Sequence, residues 1–416
     1  NPSLSAINAF YSLNNGIIPP FYSPELANEN LKWETTISQN IGFDISLWRN
    51  RFSLSADYYH NKTRDLLVDV TVPSSSGYTT QVQNVGSTYN RGFEFQLSGA
   101  PISKKDFSWN SSLNISFNKN KITSLGAYQN SFLFSSGWGG GNQPSDFLVR
   151  VGQPVGVIWG LVTDGYYKVE DFDYSGGVYT LKPGVPTNQG ITAVAPRPGS
   201  LKFKDISGRG PDGKPDGKPD GVVDDLDRTI IGNTQPKFFG GWNHQLTYKN
   251  FDLSVFLNFQ FGNDVYNANK LEFTSGYTPN SNLLAMMNDR WRNVDAQGQV
   301  VTDPTQLAAM NVNAKLWSPL TTASSFYVHS WAVEDGSFLR VNNVTLAYTL
   351  PRNWLNRVKV KSLRVYGTVN NLAILTNYTG YDPEVNTRRG TPLTPGVDYS
   401  AYPRSRAFIV GANLSF

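Results

Sequence analysis

The chain has 416 residues, with 36 Lys and Arg against 32 Asp and Glu for a net charge of +4; charged residues make up 16% and aromatics 13%, and cysteine is absent. Charge falls well below the roughly 25% of ordinary soluble domains and is spread too thinly for a nucleic-acid-binding face, while a chain without cysteine has no disulfide, thiolate metal site or cysteine nucleophile. No apolar run approaches the roughly 18 residues of a membrane-crossing helix, but a membrane β-barrel stays open, because its strands need only about ten residues of alternating character.

The chain opens on Asn1-Pro2-Ser3, with no initiator Met and no charged-then-apolar leader, and so reads as a piece of something longer. Period-two alternation begins at Ile41, Phe43, Ile45 and Leu47, breaks at Arg49-Asn50-Arg51 and resumes at Phe52, Leu54, Ala56 and Tyr58, which predicts a hairpin. Phe93, Phe95 and Leu97 follow, then Trp109, Leu113, Ile115 and Phe117. Trp242, Leu246 and Tyr248 lead through a Lys249-Asn250 turn into the longest clean run, Phe251, Leu253, Val255, Leu257, Phe259 and Phe261. Val344 to Leu350, Leu363 to Val369 and finally Phe408, Val410, Ala412, Leu414 and Phe416 repeat the pattern. Between the hairpins lie long segments of other composition, at 126–146, 169–237 (rich in Gly, Pro and Asp) and 263–330.

Alternation alone fits a sandwich or solenoid as well as a barrel. Three features favour an antiparallel transmembrane β-barrel with long external loops. The polar faces carry Asn, Ser, Thr, Gln and Gly more than Lys and Glu, aromatics crowd the strand ends, and short turns alternate with excursions too long for a compact sandwich. On that reading Leu257→Arg on the lipid face is costly, and the same change at Asn258 is tolerated.

Asn28-Glu29-Asn30-Leu31-Lys32-Trp33-Glu34 and Ala56-Asp57-Tyr58-Tyr59-His60-Asn61-Lys62-Thr63-Arg64-Asp65-Leu66-Leu67 resemble the barrel of SusC/RagA-type TonB-dependent outer-membrane transporters. Asn90-Arg91-Gly92-Phe93-Glu94, Val151-Gly152-Gln153-Pro154, Asp227-Arg228-Thr229-Ile230-Ile231-Gly232-Asn233, Phe338-Leu339-Arg340 and Gly380-Tyr381-Asp382-Pro383-Glu384 agree in order and spacing. The resemblance implies that residues 1–416 are the C-terminal portion of such a barrel, about ten to twelve strands, with signal peptide, TonB box and plug domain lying before it. It implies no enzyme but a nutrient importer in a Gram-negative, Bacteroidetes-like outer membrane. Such an importer takes up oligosaccharides or oligopeptides with a SusD-like surface lipoprotein and draws energy from TonB-ExbB-ExbD through the missing N-terminal part. The strand at 405–416, with Phe408, Val410, Leu414 and Phe416, resembles the signal read by the barrel-assembly machinery. A soluble or surface carbohydrate-binding or adhesin module, and a passive porin, are the alternatives.

Within 169–237, Asp205-Ile206-Ser207-Gly208-Arg209-Gly210 precedes three repeats, Pro211-Asp212-Gly213-Lys214, Pro215-Asp216-Gly217-Lys218 and Pro219-Asp220-Gly221-Val222. Closely spaced Asp oxygens about a Gly turn are what Ca²⁺ needs, so Asp205, Asp220, Asp224 and Asp227 are candidate ligands of a structural Ca²⁺. The family loop resembles D-x-N-G-D-G-x-I-D-x-x-D; here its second half is matched, while Ser207 stands for Asn and either Arg209 replaces an Asp or 209–219 is an insertion. The alternative is a solvated, turn-rich loop. His60, His244 and His329 lie apart, with no catalytic partner at a recognised spacing. Among the loop aromatics Trp138, Tyr166, Tyr167, Trp317 and Tyr381 are candidate substrate platforms, the alternative being that they pack the loops together.

Overall fold

A computed structural model describes residues 25–416, except 79, 127–128, 140–144, 276–281, 320–325, 357–359 and 388–390. Residues 1–24 of the expected barrel segment lie outside the described residues. Nine long strands form one antiparallel up-and-down sheet in chain order: β1 (Thr35–Leu47), β2 (Phe52–Thr71), β3 (Thr80–Ser103), β4 (Phe107–Leu125), β5 (Phe238–Tyr248), β6 (Phe251–Phe261), β7 (Phe338–Thr349), β8 (Ser362–Thr376) and β9 (Ala407–Ser415). A two-residue parallel strand, Glu25–Leu26, adds to β3 as the tenth member. Among the described residues the sheet is not closed: β1 and β9 are its two edges.

Register explains why the strands share one face. Ile45, Leu54, Leu97, Leu113, Trp242, Leu257, Val341 and Ala373 form a single row across eight strands. An adjacent row reads Ser46, Ser53, Ser98, Ser112, Asn243, Phe256, Asn343 and Asn370. Because side chains alternate across a strand, the whole sheet has one apolar and one polar face. Phe256 is the aromatic interruption of the polar row; its ring lies over Gly241, where a Cβ would stand 3.1 Å from it. Polar neighbours pair across strands, as in Ser53 with Ser98, Asn343 with Asn370 and Thr345 with Thr368.

The apolar face is uncovered. Ile41 is 72% exposed, Phe43 59% and Val410 88%, the reverse of a sandwich, whose apolar face is packed on a second sheet. Two aromatic belts bound this face. At the short-turn end Trp48 meets Phe52, Phe107 meets Tyr248, and Phe251 meets Tyr348. Toward the other end ring contacts run from Tyr58 through Phe93, Phe95, Phe117 and Phe238 to Phe259 and Phe261. The 11 residues of β6 between the belts, at about 3.4 Å each and tilted by about 45°, rise roughly 25 Å, the height of a barrel's lipid-facing band.

An arginine at Leu257 should therefore cost about 2–4 kcal/mol near the bilayer midplane, measured as urea unfolding of the refolded barrel in lipid. Asn258 is not free wall, contrary to the expectation from alternation. Its Nδ2 donates to Glu384 Oε1 at 3.3 Å beneath the segment joining β8 to β9, so an arginine there perturbs that segment. Asn243, exposed on the polar face, is the position where arginine should leave the unfolding midpoint unchanged.

Turns sort by end. The described residues within 48–51, 104–106, 249–250 and 350–361 close one end of the sheet; those within 72–78, 126–237, 262–337 and 377–406 project from the other. The last three excursions fold together as a cap. It holds a four-stranded sheet (Ser131–Phe134, Phe147–Arg150, Val157–Gly160, Thr229–Asn233) and a three-stranded one (Asp264–Asn267, Val333–Asp335, Val397–Asp398). Its core comprises Trp138, Phe147, Ile158, Tyr266, Ala268, Leu271, Phe326, Val328, Ala332 and Val397. Among the described residues most fully buried apolar side chains lie in these excursions rather than in the wall.

Candidate functional site: the cap and its clamp on the inner wall

The polar face of the sheet and the cap above it hold the charged chemistry. On β7, Arg340 stands on this polar face and is only 2% exposed. Its Nη2 meets Asp382 Oδ1 at 2.6 Å, its Nε meets Glu384 Oε2 at 2.9 Å, and its Nη1 donates to Asn371 Oδ1 at 2.6 Å. Arg404 closes the cluster from the far side, with Nε 3.1 Å from Asp382 Oδ2 and Nη1 3.0 Å from Glu384 Oε2. Two guanidiniums and two carboxylates balance, which is the condition for burying charge. The arrangement pins both limbs of 377–406 to the wall. In the sequence Arg340, Asp382 and Glu384 stand out only through the family resemblance; the local signal is an arginine on the polar side of a strand of alternating character.

A second cluster joins the excursions. Lys270, on the helix Ala268–Ser275, lies 3.4 Å from Glu334 Oε1 and 4.1 Å from the ring centre of Trp331. Burial pulls the Lys270 ammonium below its ordinary range, and the Glu334 charge opposes that. Glu334 also accepts from Asn267 Nδ2, Thr379 N and Thr379 Oγ1. Beside it His329, 3% exposed, stacks on Trp331, meets Trp317 and Phe203 edge to face and holds Nδ1 2.7 Å from Thr163 Oγ1. Burial first, and then the Lys270 charge, push the imidazole down to about 3.

The predicted aromatic platforms divide. Trp138 and Tyr167 are core residues instead. Trp138 packs on Phe326 and Tyr399 and donates Nε1 to Tyr266 Oη at 3.1 Å. Tyr167, fully buried, packs on Phe172 and donates its hydroxyl to Pro186 O. Partial burial holds Tyr166, whose hydroxyl donates to Ala314 O. Trp317 is 6% exposed but lines a cavity of about 330 Å³, and Tyr381 is 76% exposed. The predicted terminal strand is β9, with Phe408, Val410 and Leu414 exposed on the apolar side of the sheet edge and Phe416, one residue beyond it, also exposed.

The four candidate Ca²⁺ ligands act as backbone acceptors. Asp227, completely buried, accepts from Ile206 N and Ser207 N on Oδ1 and from Asp224 N on Oδ2. Asp205 accepts from Asp220 N and Gly221 N, and Asp224 caps the short helix Asp225–Asp227 through Leu226 N. Among the described residues no group of three or more acidic or histidine side chains is placed to hold a metal ion. Asp212, Asp216 and Asp220 each accept from the amide two residues on, so the three repeats fold as three equivalent turns. Burial raises the Asp227 carboxyl against the lowering effect of its three N–H donors. Asp227→Ala should free those amides, at about 2–3 kcal/mol for charge-assisted bonds, read as faster hydrogen exchange at Ile206, Ser207 and Asp224.

Comparison with known proteins points one way. The family model described as TonB dependent receptor-like, beta-barrel matches residues 1–189. TonB-dependent receptor P3 of Formosa agariphila is 33% identical over 94% of this chain and 35% of its own length. TonB-dependent receptor SusC of Bacteroides thetaiotaomicron is 28% identical over 94% of this chain and 33% of its own. The structure of the RagAB peptide transporter superposes with a TM-score of 0.69 at 21% identity, covering 99% of this chain and 39% of that one. The chain thus spans about a third of the length of the curated relatives it matches.

Proposed function

Because the chain belongs to the TonB-dependent receptor β-barrel family, we propose that it supplies part of the wall and outer loops of an active importer in the outer membrane. The observation that carries this reading is the register-matched apolar band between two aromatic belts, with a polar opposite face lying beneath a packed cap. A lipid-facing band of this height requires a bilayer, and a polar inner face provides a wet path. The cap, clamped through Arg340, forms one side of the substrate mouth.

The cargo on this reading is an oligosaccharide or oligopeptide too large for passive pores, captured with a SusD-like surface lipoprotein that covers the cap. Coupling to TonB-ExbB-ExbD runs through parts of the receptor outside this chain. Strand β9, with its exposed Phe408, Val410, Leu414 and Phe416, serves as the barrel-assembly signal. In cells bearing the full-length receptor, deleting the receptor gene or uncoupling TonB should abolish growth on the oligomeric nutrient and spare growth on its monomer. Uptake that persists at full rate after TonB is uncoupled would remove the active-import reading.

A further inference from the structure

The cap contains a cavity of about 330 Å³, at the lower end of small-ligand sites, that the import reading leaves unassigned. Its inner wall is Phe203, Leu271, Trp317, Phe326, Tyr327 and His329, drawn from two different excursions, and its outer wall is the segment around Val194 and Arg197. Phe203, Leu271, Trp317, Phe326 and His329 are buried, whereas Val194 is 54% exposed, so the cavity opens at 192–197.

Two polar atoms in this wall are uncommitted. The Thr163 hydroxyl accepts from Trp331 N at 3.2 Å and from Ser330 Oγ at 3.4 Å, so its own proton points to His329 Nδ1. In that tautomer the neutral imidazole carries its hydrogen on Nε2, which has no hydrogen-bond partner among the described residues. The Tyr327 hydroxyl likewise has no partner among them, and burial pushes it above the usual phenol range. Both atoms reach the surface of the cavity, where a ligand oxygen would meet them.

We propose that this cavity is a recognition pocket for an aromatic side chain of a peptide cargo, its ring held among Phe203, Trp317 and Phe326 and its polar end meeting His329 Nε2–H and the Tyr327 hydroxyl. The proposal rests on the import reading and names the cargo class. A glycan would need a row of free hydrogen-bonding groups for its many hydroxyls; here Asn188, Thr192, Ser200, Thr274 and Ser275 also line the wall but are bonded within the chain, and the mostly apolar remainder fits a phenol or indole ring.

The test uses the full-length receptor in detergent, titrated calorimetrically with N-acetyl-tyrosinamide, N-acetyl-alaninamide and maltotriose. Saturable binding of the tyrosinamide, at least ten-fold tighter than of the other two, is expected. Leu271→Trp, which fills the cavity, and Val194→Trp, which blocks its mouth, should each weaken that binding at least ten-fold, and Tyr327→Phe several-fold. Val194 lies at the surface, so its variant decides the matter should Leu271→Trp fail to fold. Tyrosinamide affinity equal to that of alaninamide, tighter binding of maltotriose, or binding unchanged by Val194→Trp overturns the proposal. TonB-dependent growth measured on the same receptor separates the two readings: growth retained without tyrosinamide binding retires the pocket and leaves import standing.

Discussion

Arg340→Ala should release the segment 377–406 from the wall, at a cost of about 3–5 kcal/mol, the usual penalty for removing one partner of a buried charge pair. The size follows from what remains. Asp382 is 4% exposed and would keep only the Glu384 amide and Arg404, whose guanidinium is half exposed and cannot replace the fork that Arg340 places on Asp382, Glu384 and Asn371. Rapid protease cleavage within 377–406, with the wall still resistant, is the expected readout. Arg340→Lys should recover little, because an ammonium cannot span two carboxylates and an amide in one plane. If both variants resist protease as the parent does, the cluster is not what fixes this segment.

Acidification should loosen the cap in a range set by His329. Its folded value of about 3 lies below the unfolded value near 6.5, so the neutral form is the one that folding favours. Stability is then fully present above about pH 6.5 and is lost progressively as pH falls from there toward 3. The loss amounts to about 2 kcal/mol by pH 5 and about 4–5 kcal/mol by pH 3, at about 1.4 kcal/mol per unit. Lys270, held against Glu334 and Trp331, reinforces the exclusion of a second positive charge. Cap unfolding followed by hydrogen exchange between pH 7 and 5 should show this slope, and His329→Asn should flatten it while lowering the baseline. A parent protein with no slope over that range would mean that the imidazole meets water.

The wall was legible because its physics is local. Each residue of Phe251–Phe261 touches either lipid or the polar side, so a count of period two recovers both β6 and the Lys249-Asn250 turn at their observed limits. Strand length was less legible. β3 runs from Thr80, well before the alternation seen at Phe93, because beyond the apolar band nothing compels one face to be greasy. The cap was not legible in detail, since Trp138 and Tyr167 look the same in a string whether they offer a ring to a ligand or bury it. Arg340 and its carboxylates lie 42 and 44 residues apart, a separation that no local pattern reports.

The core of the cap draws Trp138, Tyr266 and Val397 from three excursions that leave the sheet at different strands. Each strand that slid by one position would carry its excursion about 3.4 Å along the wall, and Val397 would no longer meet Tyr266. The cap core therefore packs only with the strands in their observed order and alignment, and is completed only when widely separated parts of the chain have arrived. An error made inside the bilayer becomes visible outside it, as an unpacked surface open to the cell's proteases.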